Sequence, residues 1–377
     1  MIQTLAIFRD AYRELNSKKM FWIVLAISAI VVGAFGAVGV NEAGISVLWW
    51  DFPSPMFNSN LIPAKTFYKI MFANLGVRIW LAWIASILAL VSTASMIPDF
   101  ISGGSIEMTL SKPIGRFRLF LTKYLAGMLF VTLQVVIFTL GAFLVIGLRG
   151  NTWQLGLFWA VPFTVAVFSF LFSVCVLLGM VTRSTIASLL LTLLVFFGIW
   201  AVHTVESSLL TFRTRSEMRL EKGERAVAQL QEQKREFMQT PAPGTAGAPT
   251  VWPREDELQR TLAALDRVKA NSRSLALWHN GFFAAMTVLP KTSETVGLLE
   301  RRLISDADLK ELRDLDADKD DPPFFPGEEF PVRGKLVGQR VEEISRARSA
   351  AWILGTSFAF EAVVFGAACL IFCRRDF

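Results

Sequence analysis

Residues 96–124, MIPDFISGGSIEMTLSKPIGRFRLFLTKY, decide how the chain is read, because this polar, basic stretch separates two long apolar runs. Of the 377 residues, 53% are hydrophobic and 19% charged, where about a quarter charged is usual for a soluble domain. Such a chain belongs in a bilayer. The formal charge of +6 is unevenly placed: residues 204–350 hold 23 Lys/Arg and 24 Asp/Glu, so the basic excess sits on the apolar remainder. A surplus spread over short loops beside apolar runs sets membrane orientation, whereas nucleic-acid binding asks for one clustered basic face. Cys175, Cys369 and Cys373 lie in or at the edge of apolar segments and suggest neither a disulfide framework nor a zinc site.

Working outward, residues 4–16 place Leu5, Phe8, Tyr12 and Leu15 at helical spacing with Arg9, Asp10, Arg13 and Glu14 between them. This predicts a cytosolic amphipathic interface helix within 1–20. The first apolar run is about 20 residues long, and acidic Asp10 and Glu14 precede it, so it reads as a retained span rather than a cleaved leader. Five spans are predicted within 21–203, at Phe21–Val40, Val77–Met96, Leu125–Leu148, Trp153–Met180 and Ile186–Val202, and a sixth at Trp352–Cys373 within 351–377. Asn41–Gly76, with Trp49, Trp50 and three prolines, reads as an irregular interfacial loop. Placing the N-terminus inside leaves eleven Lys/Arg in the short inner pieces and Lys65, Lys69, Arg78 and Arg149 in the outer ones. Both termini and the 97–123 loop are therefore expected in the cytosol.

The same topology puts 204–350 outside, as a helical insertion. Leu220, Val227, Leu230 and Phe237, then Leu258, Leu262, Leu265 and Val268, recur at coiled-coil-like intervals. The linker TPAPGTAGAPTVWP (240–253) separates them, which predicts a helical hairpin. Trp278–Pro290 is apolar but too short to span and is expected to lie in the interface or re-enter. The fold class is thus an all-α polytopic membrane protein with six transmembrane helices.

Catalytic motifs are missing from the sequence: there is no phosphate loop, zinc-protease helix or nucleophile elbow. The chain is read as having no catalytic site, cofactor site or metal site of its own. His203 and His279 read as interfacial residues. Asp316, Asp318 and Asp320 begin like a calcium loop, but Asp321 and Gly327 stand where that loop needs Gly and Glu, so a solvated acidic loop is the reading. Glu361 falls midway along the last span. A carboxylate there costs about 2.5–3.5 kcal/mol and each Leu, Ile, Phe or Val returns about 0.3–0.6. The span survives, with Glu361 facing the bundle, either on a transport path or held by Gln134 or a neighbouring hydroxyl.

The stretch SGGSIEMTLSKPIGRFRLFLTKYLAG (102–127) resembles the loop between the second and third spans of ABC-2 type permeases, the six-span membrane subunits of ABC exporters. The matching positions are Ser105, Glu107, Leu110, Ser111, Lys112, Pro113, Arg116 and Lys123. The ending IFCRRDF (371–377) is similar to that family's, and the interface helix fits the same pattern. The resemblance implies coupling to a separate ABC ATPase through those eight residues, ATP bound on that partner and not on this chain, and a second permease subunit, identical or different. It also implies export across the plasma (inner) membrane. The 204–350 insertion departs from it. A rival expectation is a membrane-anchored scaffold that binds an extracytoplasmic partner through the insertion.

Overall fold

The computed structural model describes residues 19–41, 44–53, 64–102, 115–149, 151, 153–239, 252–304, 325 and 328–374. The expected interface helix, the residues from Ser105 to Pro113, most of the 240–253 linker, the Asp316–Asp320 run and the last three residues lie outside them.

Helix α1 (Lys19–Ala37) stops where the strands β1 (Val38–Asn41), β2 (Gly44–Val47) and β3 (Trp50–Pro53) begin. They form an antiparallel meander in the order β1-β2-β3, with Val38 opposite Val47 and Val47 opposite Trp50. The Asn41–Gly76 segment is therefore not an irregular loop: valine and isoleucine alternate with smaller residues across a pleat. The chain then enters α2 (Ala64–Met71), which continues through a π-helical stretch, Phe72–Ala85, into α3 (Ser86–Thr93) and α4 (Met96–Ser102). In the π stretch the buried pairs Phe72/Ala73, Gly76/Val77 and Trp80/Leu81 recur every four residues. An α-helix alternates steps of three and four, so the wider pitch keeps one stripe facing the bundle.

Helices α5 (Arg116–Arg149), α6 (Ala160–Thr182, entered by a 3₁₀ turn at Leu155–Trp159) and α7 (Thr185–Gln239) follow. Next come α8 (Glu255–Val288), α9 (Thr292–Leu303), α10 (Gly334–Ala347) and α11 (Ala350–Arg374). Among the described residues, five helical stretches are long and apolar enough to cross a membrane: Thr66–Ile101, Arg116–Arg149, Leu155–Thr182, Thr185–Gln239 and Ala350–Arg374. Phe21–Ala37 is apolar but shorter. Two sequence-based boundaries are corrected. The fifth span and the first hairpin arm are one 55-residue helix, since no Gly or Pro falls where a break was expected. Trp278–Val288 is the end of α8, not a separate interfacial or re-entrant element.

Two compact units divide the chain. The first comprises 1–200, 288–318 and 350–377. Its centre is α6: 78% of the most apolar part of Leu155–Thr182 is buried, against 17% for Ala350–Arg374. α11, α5, α9 and α4 all pack on α6, and α1 packs on α5. Helix α9 comes from the region read as extracytoplasmic, yet Val296, Leu298, Leu299 and Leu303 join this core. The second unit comprises 201–287 and 319–349. There Val227 and Leu230 of α7 pack with Leu258 of α8 around Trp252. Pairing is antiparallel, because Lys234 bonds Glu255 at 2.7 Å near the turn while Arg213 reaches Asn280 at 3.3 Å. The segment 328–331 is strapped to both arms: Arg219 and Lys222 donate to the carbonyls of Glu329 and Pro331, and Arg267 pairs with the Glu329 side chain.

At the turn, hydrogen bonds from Lys234 and Gln259 hold the Glu255 carboxyl below its usual range, and those from Arg254 do the same for Glu257. A depressed folded pKa contributes stability above the unfolded value, about 4.3 for Glu, and loses it as pH falls through the lower folded value. Hydrogen exchange corrected for intrinsic rates should therefore show 234–239 and 255–258 losing protection on acidification below pH ~4. The double variant Glu255→Gln, Glu257→Gln should show the lower protection at every pH.

Candidate functional site

Three helices bring polar groups together inside the first unit. Glu361 lies on α11, and its Oε1 accepts a hydrogen bond from the Tyr124 hydroxyl of α5 at 2.8 Å. Its Oε2 accepts one from the Ser169 hydroxyl of α6 at 2.9 Å. The same two hydroxyls also lie near the carbonyls of Ser169 (3.3 Å) and Ala166 (2.8 Å), so two protons are shared among four acceptors. Aromatic rings wall the cluster. Phe172 stacks on Tyr124 with centroids 5.0 Å apart, and Phe365 meets its edge at 4.7 Å. A carboxylate behind such walls gains more from each hydrogen bond than in water, and loses more if one is missing.

A second cluster lies one turn earlier on α11. The chain enters α9 through Lys291, which is 0% exposed. Its backbone N–H donates to the Ser357 hydroxyl at 2.9 Å and its ammonium to the Thr356 hydroxyl at 2.7 Å. The ammonium also stands 4.4 Å from the centre of the Trp352 ring, a cation–π contact. Lys291, Thr356 and Ser357 were not singled out from sequence. The usable signal was the polar stripe Thr356, Ser357, Glu361, which an otherwise apolar helix must satisfy across its interface.

Sequence reasoning offered Gln134 or a hydroxyl as the group holding Glu361, and it is the hydroxyls that do so. Gln134 lines a separate small cavity with Ser28, Ser86 and Thr164. Of the eight residues in the resemblance, Ser105, Glu107, Leu110, Ser111, Lys112 and Pro113 fall outside the described residues. The other two follow them in α5. Arg116, in the first turn of α5, donates to the Cys373 carbonyl in the last turn of α11 at 3.1 Å. Lys123 lies 5.1 Å from the Phe100 ring centre.

The second unit holds its own buried ionic cluster. Glu206, 3% exposed, accepts from Arg348 at 2.6 Å and lies 3.2 Å from His279 Nε2. Arg213 contacts the other His279 nitrogen at 3.1 Å. His279 is thus buried and hydrogen-bonded on both ring nitrogens, and His203 is buried as well. Among the described residues no group of three or more His, Cys, Asp or Glu could hold a metal ion. Compared with known proteins, the chain matches no protein-family model, and no curated protein matches it in sequence at a significant level.

Removing the phenol of Tyr124 leaves Glu361 with Ser169 alone. Tyr124→Phe should lower unfolding stability in micelles by about 0.6–1.7 kcal/mol, the range for hydrogen bonds between membrane helices. Close packing gives a second expectation, since a Cβ on Gly127 would meet the Phe172 ring at 2.8 Å. Gly127→Val should displace that ring and cost about 1–3 kcal/mol, read as a lower thermal midpoint.

Proposed function

We propose that the chain is the membrane subunit of an ATP-driven exporter of the ABC-2 type, coupled to a separate ATPase through the segment around residues 97–123. The observation that carries this reading is how that segment is tied to the bundle. Arg116 fastens its exit to the end of α11, and two turns further along α5 Tyr124 grips Glu361 on the same helix. A push on the basic loop would be passed to the α5–α11 pair, and through Ser169 to the central α6.

In this reading two permease subunits, identical or different, enclose the substrate path, each docking one ATPase with Glu107, Leu110, Ser111, Lys112 and Pro113 at the contact. ATP binds and is hydrolysed on the partner, and no catalysis occurs in this chain. Phe21–Ala37 completes six spans, leaving both termini in the cytosol and the 204–350 insertion outside the plasma (inner) membrane except for α9, which packs into the bundle. The apolar faces of α7 and α11, with Ile186, Leu190, Leu194 and Val363 exposed, meet lipid or the second subunit. Glu361 borders the path, where a carboxylate inside a membrane bundle has a functional role by default.

The separate core of the second unit favours one alternative, a scaffold that works through its extracytoplasmic helices. Co-purification from the native membrane separates the two. If the chain is a permease, Glu107→Ala or Arg116→Ala should reduce the recovered ATPase by about tenfold or more, the effect of losing a charged hydrogen bond. Normal recovery with both replaced would favour the scaffold. Within an intact complex, Glu361→Gln should slow transport, and unchanged transport would remove Glu361 from the path.

A further inference from the structure

The buried cluster at the open end of the hairpin fixes where the proton of its histidine sits. His279, on α8, is met by the Arg213 guanidinium of α7 at Nδ1, 3.1 Å away, and by the Glu206 carboxylate of α7 at Nε2, 3.2 Å away. An arginine side chain only donates hydrogen bonds and stays charged. The Arg213 contact therefore needs a bare lone pair on Nδ1. The ring proton is then on Nε2, where it donates to Glu206. His279 is neutral in this arrangement, and each of its nitrogens joins α8 to α7.

The surrounding charges decide what a second proton does. Among the described residues, Glu206, Arg213 and Glu217 on α7 and Arg348 just after α10 make up the cluster with His279, and buried His203 precedes Glu206 by one turn of α7. Arg348 donates to the same Glu206 oxygen as His279, at 2.6 Å. Phe283 stacks on the imidazole at 6.0 Å and lies 5.4 Å from the Arg348 guanidinium, so the ring is walled on that side. A second proton can go only to Nδ1, where it sets two donors and two positive charges against each other across the Arg213 contact. Arg213 has an exit: its Nε already donates to Glu217 at 2.8 Å, and its side chain is 32% exposed. The Glu206 contact instead becomes charge-assisted and tightens. We propose that His279 is a pH switch in the hairpin. Protonation at Nδ1 releases Arg213 from His279 and Asn280 to Glu217, and the tie between α7 and α8 passes to a charged His279–Glu206 pair. The switch does not depend on the transporter reading.

NMR of the full chain in micelles, isotope-labelled at its two histidines alone, tests the starting state. At pH ~8 the His279 signal, assigned by its loss in His279→Gln, should be that of the Nε2–H tautomer. Hydrogen exchange corrected for intrinsic rates tests the release. Between pH ~8 and ~5, where histidine changes charge, protection around 211–216 and 279–283 should fall by about tenfold, the effect of losing a charged hydrogen bond. His279→Gln keeps a donor for Glu206 and an acceptor for Arg213 but takes no proton, so its protection should not vary over that range. Arg213→Ala should show the lower protection at both ends. An Nδ1–H tautomer at the higher pH, unchanged protection in the unaltered chain, or the same loss in His279→Gln would overturn the proposal.

Discussion

The carboxylate of Glu361 is the constraint around which the first unit is arranged. A carboxyl group at the middle of a long apolar helix must be satisfied by its neighbours, because apolar surroundings offer it no partner. The Tyr124 and Ser169 hydroxyls supply that from α5 and α6, and each contact fixes the rotation of α11 about its own axis. Packing acts with these contacts: α11 lies along α6 and buries Ile353, Ala368 and Phe372, so an apolar seam and a polar stripe together set its face. Lys291 extends the same logic one turn away, pinning the start of α9 to Thr356 and Ser357. One stripe of α11 thereby gathers α5, α6 and α9.

The second unit uses charge differently. Its apolar core is small, built from Val227, Leu230, Leu258 and Trp252 with Leu262 and Leu265 at its edge. Ion pairs and carbonyl contacts supplement it. Arg215 pairs with Glu328 and lies 4.3 Å from the Phe325 ring centre, while Arg219, Lys222 and Arg267 hold 329–331. Buried Glu206 is tolerated because Arg348 and His279 both reach it. Removing one partner from such a group costs far more than the exposed pairs at the hairpin turn.

Much of this was legible in the sequence, and the misses share a cause. Long apolar runs marked the α5, α6 and α11 helices, and alternating leucines with a Pro/Gly linker marked the hairpin. The expectation that Glu361 would turn toward the bundle follows from desolvation alone. Boundaries failed where hydropathy changes and the backbone does not: α7 runs unbroken from Thr185 to Gln239 although its surroundings differ along its length. The β1–β3 meander was hidden because its strands are four residues each and flanked by prolines that read as loop. Lys291, Tyr124 and Ser169 were beyond reach because hydrogen bonds between residues 65, 237 and 192 positions apart leave no local pattern. The partner of His279 was not legible because Glu206 lies 73 positions away in the sequence.

In the proposed permease reading this chain supplies a path and a lever, and a separate subunit supplies the motor. The decisive measurement extracts the chain from its native membrane under mild conditions and determines both the mass and the ATP hydrolysis of what it brings with it. A permease should come out in an assembly of two permease subunits and two nucleotide-hydrolysing subunits that turns over ATP, with the activity lost when the chain is stripped to itself. A homogeneous chain recovered without any ATP-hydrolysing subunit, in a membrane preparation where its function is intact, would contradict it.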